Sequence, residues 1–246
     1  FAREEVCDTV IPAYMGLVKQ IDDHLGRLFD FLEESGRMDD TLIVFTSDHG
    51  DFLGDHWLGE KELFYEESVR VPMIIYDPDP AADATRGTHD QSFVESIDLI
   101  PTFLAALDID IPTHILEGRS LVPLLRAETV DDWRDEVFSE LDYAFYRARL
   151  DLKRGPNDCH AIMVRTERWK YIHYEGFAPQ LFDLDADPKE QNDLGQDPAL
   201  ENIRREMSDR IFNWFLRHKR RVGMSDQLVI DRTDGAKNVG VFIGRW

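Results

Sequence analysis

The chain has 246 residues, 43% hydrophobic and 31% charged, a balance that suits a soluble globular protein of one sizeable domain or two small ones. No apolar run approaches the roughly 18 residues of a membrane span, which excludes a helical membrane protein. Asp and Glu outnumber Lys and Arg by 49 to 28, and the resulting formal charge of −21 repels phosphate backbones and excludes nucleic acid as a general partner. Such acidity serves solubility, and it sets a condition: a pocket for an anion must be made locally positive by a metal, Lys or Arg. Cys7 and Cys159 have neither metal-type spacing nor the density of a disulfide scaffold, so a reducing, cytoplasmic compartment is expected. Nothing reads as a signal peptide, and the chain opens with Phe1 rather than Met, as a piece of something longer would.

From Val10 to Gly36 the apolar residues Met15, Val18, Ile21, Leu25, Leu28, Phe29 and Leu32 recur at intervals of three and four. This predicts an amphipathic helix ended by Gly36. Thr41 to Thr46 and Val71 to Tyr76 are short β-branched runs that read as strands buried on both faces. Ile97 to Leu107 predicts a helix with Pro101 in its first turn. Helix, strand, loop, strand, helix is the rhythm of a parallel α/β sheet whose remaining strands would lie upstream of Phe1. After about Glu128 the pattern changes. Glu136–Leu141, His160–Arg165 and Trp169–Tyr174 predict antiparallel strands, the last two joined by a tight turn at Thr166 to Arg168. A helix from Pro198 to Arg217 follows, with Ile203, Met207, Ile211, Trp214 and Phe215 on one face. The expected division is 1–128 for the α/β part, 129–221 for a small sheet-plus-helix subdomain, and 222–246 for a tail.

The chemistry concentrates between Phe45 and His56. Asp48 and His49 sit where a strand gives way to a Gly-rich loop, the carboxyl end at which open α/β sheets bind ligands. Gly50 gives the backbone freedom to turn both side chains toward one cation. A carboxylate plus an imidazole suits Mn²⁺, Fe²⁺ or Zn²⁺ better than an all-oxygen Ca²⁺ site does. The bland reading is a turn cap at Asp48 beside an ordinary loop histidine. Lys61, twelve positions after His49, would neutralise an anionic oxygen near such a metal, although spacing alone describes a solvated surface lysine equally well. His24 reads as a surface residue of its helix, and His89, His114 and His160 lack partners at ligand spacing. Trp169, Tyr171 and Tyr174 read as strand residues of the core. The basic run from Arg217 to Arg221 reads as a solvated helix end.

Several segments, in order, resemble the sulfatase branch of the alkaline phosphatase superfamily. They are Ser47-Asp48-His49-Gly50, Gly54-Asp55-His56, Lys61, an acidic residue at Glu66 or Glu67, and Arg70-Val71-Pro72 with its apolar strand. Asp98-Leu99-Ile100-Pro101-Thr102, Gly118-Arg119-Ser120-Leu121, and the stretch from Leu181-Phe182-Asp183-Leu184 to Asp187-Pro188-Lys189-Glu190 and Asn192 continue the match. The resemblance covers roughly residues 10 to 200. It implies an alkaline-phosphatase-like parallel sheet flanked by helices, here the C-terminal part, with a small antiparallel α+β subdomain. It also implies that Asp48 and His49 are two ligands of one divalent metal, Mn²⁺ or Ca²⁺ first and Zn²⁺ or Fe²⁺ as alternatives. Lys61 would contact the anionic group or leaving oxygen of a small ester.

His rather than Asn after Asp48 resembles phosphonate monoester hydrolases and choline sulfatases, and the tail resembles hydrolases that form tetramers, which implies a homo-oligomer. The family nucleophile, a formylglycine made from Cys-x-Pro-x-Arg, matches neither Cys7 nor Cys159 and is expected upstream, so the chain alone is expected to be inactive. Phosphonate monoesters or phosphodiesters are the favoured substrates, sulfate esters the next. Two other readings stand beside this one. A two-metal transferase or mutase would need further ligands, for which His56 is the only nearby candidate. A non-catalytic interaction module would need no site at all.

Overall fold

The computed structural model describes residues 3–218 and 222–233; the remainder of the basic run and the last part of the tail lie outside them. In chain order the elements are helix α1 (Glu4–Glu34), strand β1 (Ile43–Thr46), the single-turn helix α2 (Glu66–Val69), β2 (Met73–Tyr76), α3 (Leu99–Ala106) and α4 (Val122–Leu125). Then come β3 (Val137–Asp142), α5 (Arg147–Asp151), β4 (His160–Arg165), β5 (Trp169–Tyr174), β6 (Gln180–Asp183), α6 (Glu201–Arg217) and α7 (Asp226–Arg232).

Helix α1 begins six residues earlier than its periodicity suggests and runs through Pro12. Gly36 ends it with φ +68°, a left-handed turn in which the Arg37 N–H donates to Leu32 O at 2.8 Å. Only Leu32 of this helix is buried; Met15, Leu17, Val18, Ile21 and Leu28 are all exposed. No described helix is long and apolar enough to cross a membrane.

β1 and β2 pair with each other, but antiparallel, with Ile43 opposite Tyr76 and Thr46 opposite Met73. The parallel arrangement expected of them is therefore corrected for this pair. A run of apolar residues reports burial, not direction, and the long connection between the two strands is compatible with either. Nor are both faces buried: Phe45 and Ile74, directly opposite each other, are exposed.

The second sheet is an antiparallel meander in the order β3-β4-β5-β6, and its middle strands keep the predicted bounds. β6, unexpected as a strand, pairs Tyr171 with Leu181. Alternation gives this sheet two buried faces. Ala161, Met163, Ile172 and Phe182 pack on one side with Phe64, Tyr143 and Cys159, and Tyr65 and Val69 lie against them. Ile162, Val164, Tyr171 and Leu181 pack on the other against Met207 and Ile211 of α6. Phe215, assigned to that face of α6, is instead exposed. The sheet thus lies between α6 and the segment that contains Lys61.

Two of the motifs quoted above form one knot. Asp98, fully buried, receives both Nη atoms of Arg134 at 2.5 and 2.6 Å and accepts the backbone N–H groups of Glu95 and Arg119 at 2.8 and 2.7 Å. Leu121 N–H donates to Thr102 Oγ1 at 2.8 Å. Gly118 lies so close that a Cβ there would fall 2.1 Å from Ile97 O. Replacing Arg134 by Met would leave the buried Asp98 carboxylate without its countercharge, at a cost of about 3–5 kcal/mol in unfolding free energy. Urea denaturation should show that loss, and Arg147→Met, which removes an exposed partner of Asp151, should leave the midpoint almost unmoved.

Candidate active site

Beyond Thr46 the chain leaves β1 and turns tightly. Ser47 Oγ donates to His49 O at 2.7 Å, and the His49 N–H donates to Asp48 Oδ1 at 3.0 Å. The His49 ring places Nδ1 2.7 Å from Gly50 O. A carbonyl only accepts, so that contact assigns the proton to Nδ1 and leaves the lone pair on Nε2. Nε2 lies 3.5 Å from Asp48 Oδ2. This is about the separation of two ligands sharing a cation at metal–ligand distances of about 2.1 Å. An imidazole that donates its other N–H to a backbone carbonyl is the usual arrangement of a metal-ligating histidine. The pair therefore fits a divalent ion, as two donors of a larger set. Among the described residues no cluster of three or more His, Cys, Asp or Glu gathers to hold a metal.

Asp48 is exposed, and its carboxyl lies below the ordinary carboxylate range. Slight burial works to raise it, but the hydrogen bond from the His49 N–H and the charge of Lys61 lower it. Lys61 is itself exposed, so the one cation named for the site acts on Asp48 through water-facing space.

The segment between them is held in an unusual backbone. Leu53, His56, Trp57, Glu60 and Leu63 all have φ between +48° and +72°, the left-handed region that side chains disfavour. Two contacts pin the turn: Phe52 N–H to Glu60 O and Gly54 N–H to Leu58 O, each 3.0 Å. Phe52 anchors it, almost wholly buried, with edge contacts to His56 and Tyr65. His56 does not join Asp48 and His49. Its ring stacks on Tyr65 at 3.9 Å between centroids, and its Nε2 faces Glu67 Oε2 at 3.6 Å in a nearly closed space. That placement removes the one nearby candidate for a second metal cluster. Cys159 is fully buried with its thiol toward Gly155 O, and Cys7 lies over Gly54, so neither forms a disulfide.

α2 closes the site from behind. Gly50 N–H donates to Ser68 O at 2.8 Å, and Ser68 Oγ donates to Lys61 O at 2.5 Å. A Cβ at Gly50 would sit 1.9 Å from Glu67 O, so glycine is required for this approach. Lys170 escaped the sequence reading. Its ammonium, with no solvent exposure, lies 2.7 Å from both Glu66 Oε1 and Glu190 Oε1 and donates to Phe64 O at 2.9 Å. The available signal was its parity: Lys170 shares a strand face with Ile172, which points inward.

Residues 54–216 match the family described as N-sulphoglucosamine sulphohydrolase, C-terminal. The chain is 40% identical over 208 residues to the multifunctional alkaline phosphatase superfamily protein PehA of Trinickia caryophylli, covering 83% of this chain and 40% of that protein. It is 36% identical to an N-acetylglucosamine-6-O-sulfatase of Bacteroides thetaiotaomicron, over 74% of this chain and 31% of the relative. Among solved structures it superposes on a phosphonate monoester hydrolase from Silicibacter pomeroyi with a TM-score of 0.81 and 32% identity, over 88% of this chain and 43% of that one. The chain thus spans less than half the length of the relatives it matches.

Gly50→Ala should cost on the order of 1–3 kcal/mol by overpacking against Glu67 O. Gly16→Ala, on a stretch of α1 with open space around it, should gain about 0.5–1 kcal/mol. Paired urea melts would check both, and equal stability of the Gly50 variant and the parent would remove the close approach.

Proposed function

The chain belongs to the sulfatase family, within the alkaline phosphatase superfamily, and from that premise we propose that it is the metal-site portion of a hydrolase of phosphonate monoesters or phosphodiesters, with sulfate esters as the alternative substrates. The observation that carries this reading is the His49 ring, which turns Nδ1 to Gly50 O and presents Nε2 beside Asp48 Oδ2. A divalent cation held by these two atoms and by further ligands supplies Lewis-acid stabilisation of the ester's anionic oxygens. Mn²⁺ suits a mixed carboxylate and imidazole set, and Ca²⁺, Zn²⁺ and Fe²⁺ are the alternatives. Lys61 supplies a second positive charge, free to meet an oxygen that gains charge as the ester bond breaks. Together they make an anion-binding spot on a protein that is otherwise strongly acidic.

Neither cysteine stands in Cys-x-Pro-x-Arg, so we place the formylglycine nucleophile in the part of the relatives' length that this chain does not span. The exposed apolar residues of α1 and the Phe45–Ile74 face of the first sheet are the surface that part would cover. On this reading residues 1–128 belong to the catalytic α/β core and 129–221 to the subdomain behind it. Histidine at position 49, and the likeness to a phosphonate monoester hydrolase, favour phosphorus esters over sulfate.

In a full-length form assayed with phosphonate, phosphodiester and aryl sulfate esters, Asp48→Ala should abolish both Mn²⁺ binding and turnover. Lys61→Ala should keep the metal and lose about 10²–10³-fold in kcat. His24→Ala, on the exposed side of α1, should do neither. Near-normal turnover by the Asp48 variant would overturn the metal assignment.

A further inference from the structure

Three groups from distant parts of the chain meet at the buried ammonium of Lys170. Glu66 comes from α2, Glu190 from the loop after β6, and Lys170 from β5. Arg165 of β4 adds a contact to Glu66 Oε1 at 3.1 Å and Arg70 lies 3.9 Å from Glu66 Oε2, so three cations face the two carboxylates. Glu190 Oε2 accepts the Glu66 backbone N–H at 2.8 Å, which binds the first residue of α2 to the subdomain loop. Glu190 has φ +51°, a disfavoured conformation for its residue type, retained where its carboxylate meets Lys170. The charges follow the geometry. Burial pushes the Glu190 carboxyl up despite Lys170. At Glu66 burial acts the same way, but Lys170, Arg165 and Arg70 outweigh it and hold that carboxyl low.

None of these groups touches the Asp48–His49 pair. Their effect on it passes through backbone. Lys170 holds Phe64 O, and Glu190 holds Glu66 N. The same short segment then presents Ser68 O to Gly50 N–H and Ser68 Oγ to Lys61 O. One turn of helix therefore grips the residue after His49 and the residue that carries the site's cation.

We propose that Lys170 is a positioning residue for the active site: it anchors residues 64–68 to the subdomain sheet so that Ser68 sets the relation between the His49–Gly50 turn and Lys61. The inference rests on the reading of Asp48, His49 and Lys61 given above. It assigns the subdomain the task of holding the metal loop.

The test is amide hydrogen exchange on a full-length form, read by peptide, for the parent, for Lys170→Met, and for the triple variant Lys170→Met/Glu66→Gln/Glu190→Gln. The triple variant removes the two carboxylates that Lys170→Met would strand in the core. Mn²⁺ affinity is measured in parallel by equilibrium dialysis. Peptides covering residues 47–53 and 60–70 should exchange about tenfold faster in the triple variant, while those of α6 and β3 keep the parent's protection. Mn²⁺ should bind about 10–100-fold more weakly, the loss typical of removing an outer support of a metal ligand. Parent-like exchange at 47–53 and 60–70 in any folded Lys170 variant would overturn the proposal. So would uniform loss of protection in the triple variant, since Lys170 would then be holding the whole fold and not the loop. If the parent itself binds no Mn²⁺, the metal reading fails, and the exchange pattern still decides the role of Lys170.

Discussion

An ammonium group cut off from water fixes how the subdomain sheet meets α2. Taking a charge into a protein interior costs several kcal/mol unless partners and geometry repay it. At Lys170 the repayment requires three separate segments to arrive at once: α2 with Glu66, the loop with Glu190, and the strand pair β4–β5 with Arg165 and Lys170 itself. Apolar contacts favour close packing without setting a direction. A buried ion cluster adds one, because its hydrogen bonds demand particular donors opposite particular acceptors. The subdomain sheet is consequently fixed against α2 with a definition that the apolar packing of Phe64, Tyr65 and Val69 would not give by itself.

A second buried charge does similar work elsewhere. Asp98 ties α3 to the Gly118–Leu121 turn through Arg134 and two backbone N–H groups. The Lys170 cluster lies against the segment that carries Lys61 without contacting Asp48 or His49, whereas the Asp98 cluster is built from Glu95, Arg119 and Arg134. Of the quoted family signature, the Asp98–Thr102 helix, the Gly118 turn and Glu190 are thus architectural. In the stretch after β1, Asp48 and Lys61 are exposed to solvent.

The sequence disclosed local order well and distant order poorly. β4 and β5 kept their predicted bounds because each is a short apolar or aromatic run closed off by polar turn residues, Thr166 to Arg168 between them. The direction of β1 relative to β2 had no such mark, since an apolar run looks the same read either way. β6 was hidden inside a motif remarkable for its acidic residues more than its strand character. At the candidate site, the tight turn that brings the Asp48 and His49 side chains together was legible from a strand end beside glycine. The partners that steady them were not. Lys170 has the appearance of a surface residue until the pairing of β5 assigns it an inward face, and Glu66 and Glu190 lie more than a hundred positions apart. The left-handed backbone at His56, Trp57 and Leu63 likewise had no local signal, because none of the three is glycine.

The two-sided burial of the β4–β5 pair bears on how this protein can change over time. In β4 the odd positions, Ala161 and Met163, look toward the segment that carries Lys61, and the even ones, Ile162 and Val164, look toward α6. β5 reverses the parity, with Lys170 and Ile172 on the first side and Trp169 and Tyr171 on the second. Neighbouring positions therefore answer to different packing demands, one set by the segment that carries Lys61 and the other by the docking of α6. Substitutions at the positions facing α6 can retune its docking residue by residue while the interleaved set, and with it the packing beneath the Lys61 segment, stays as it is.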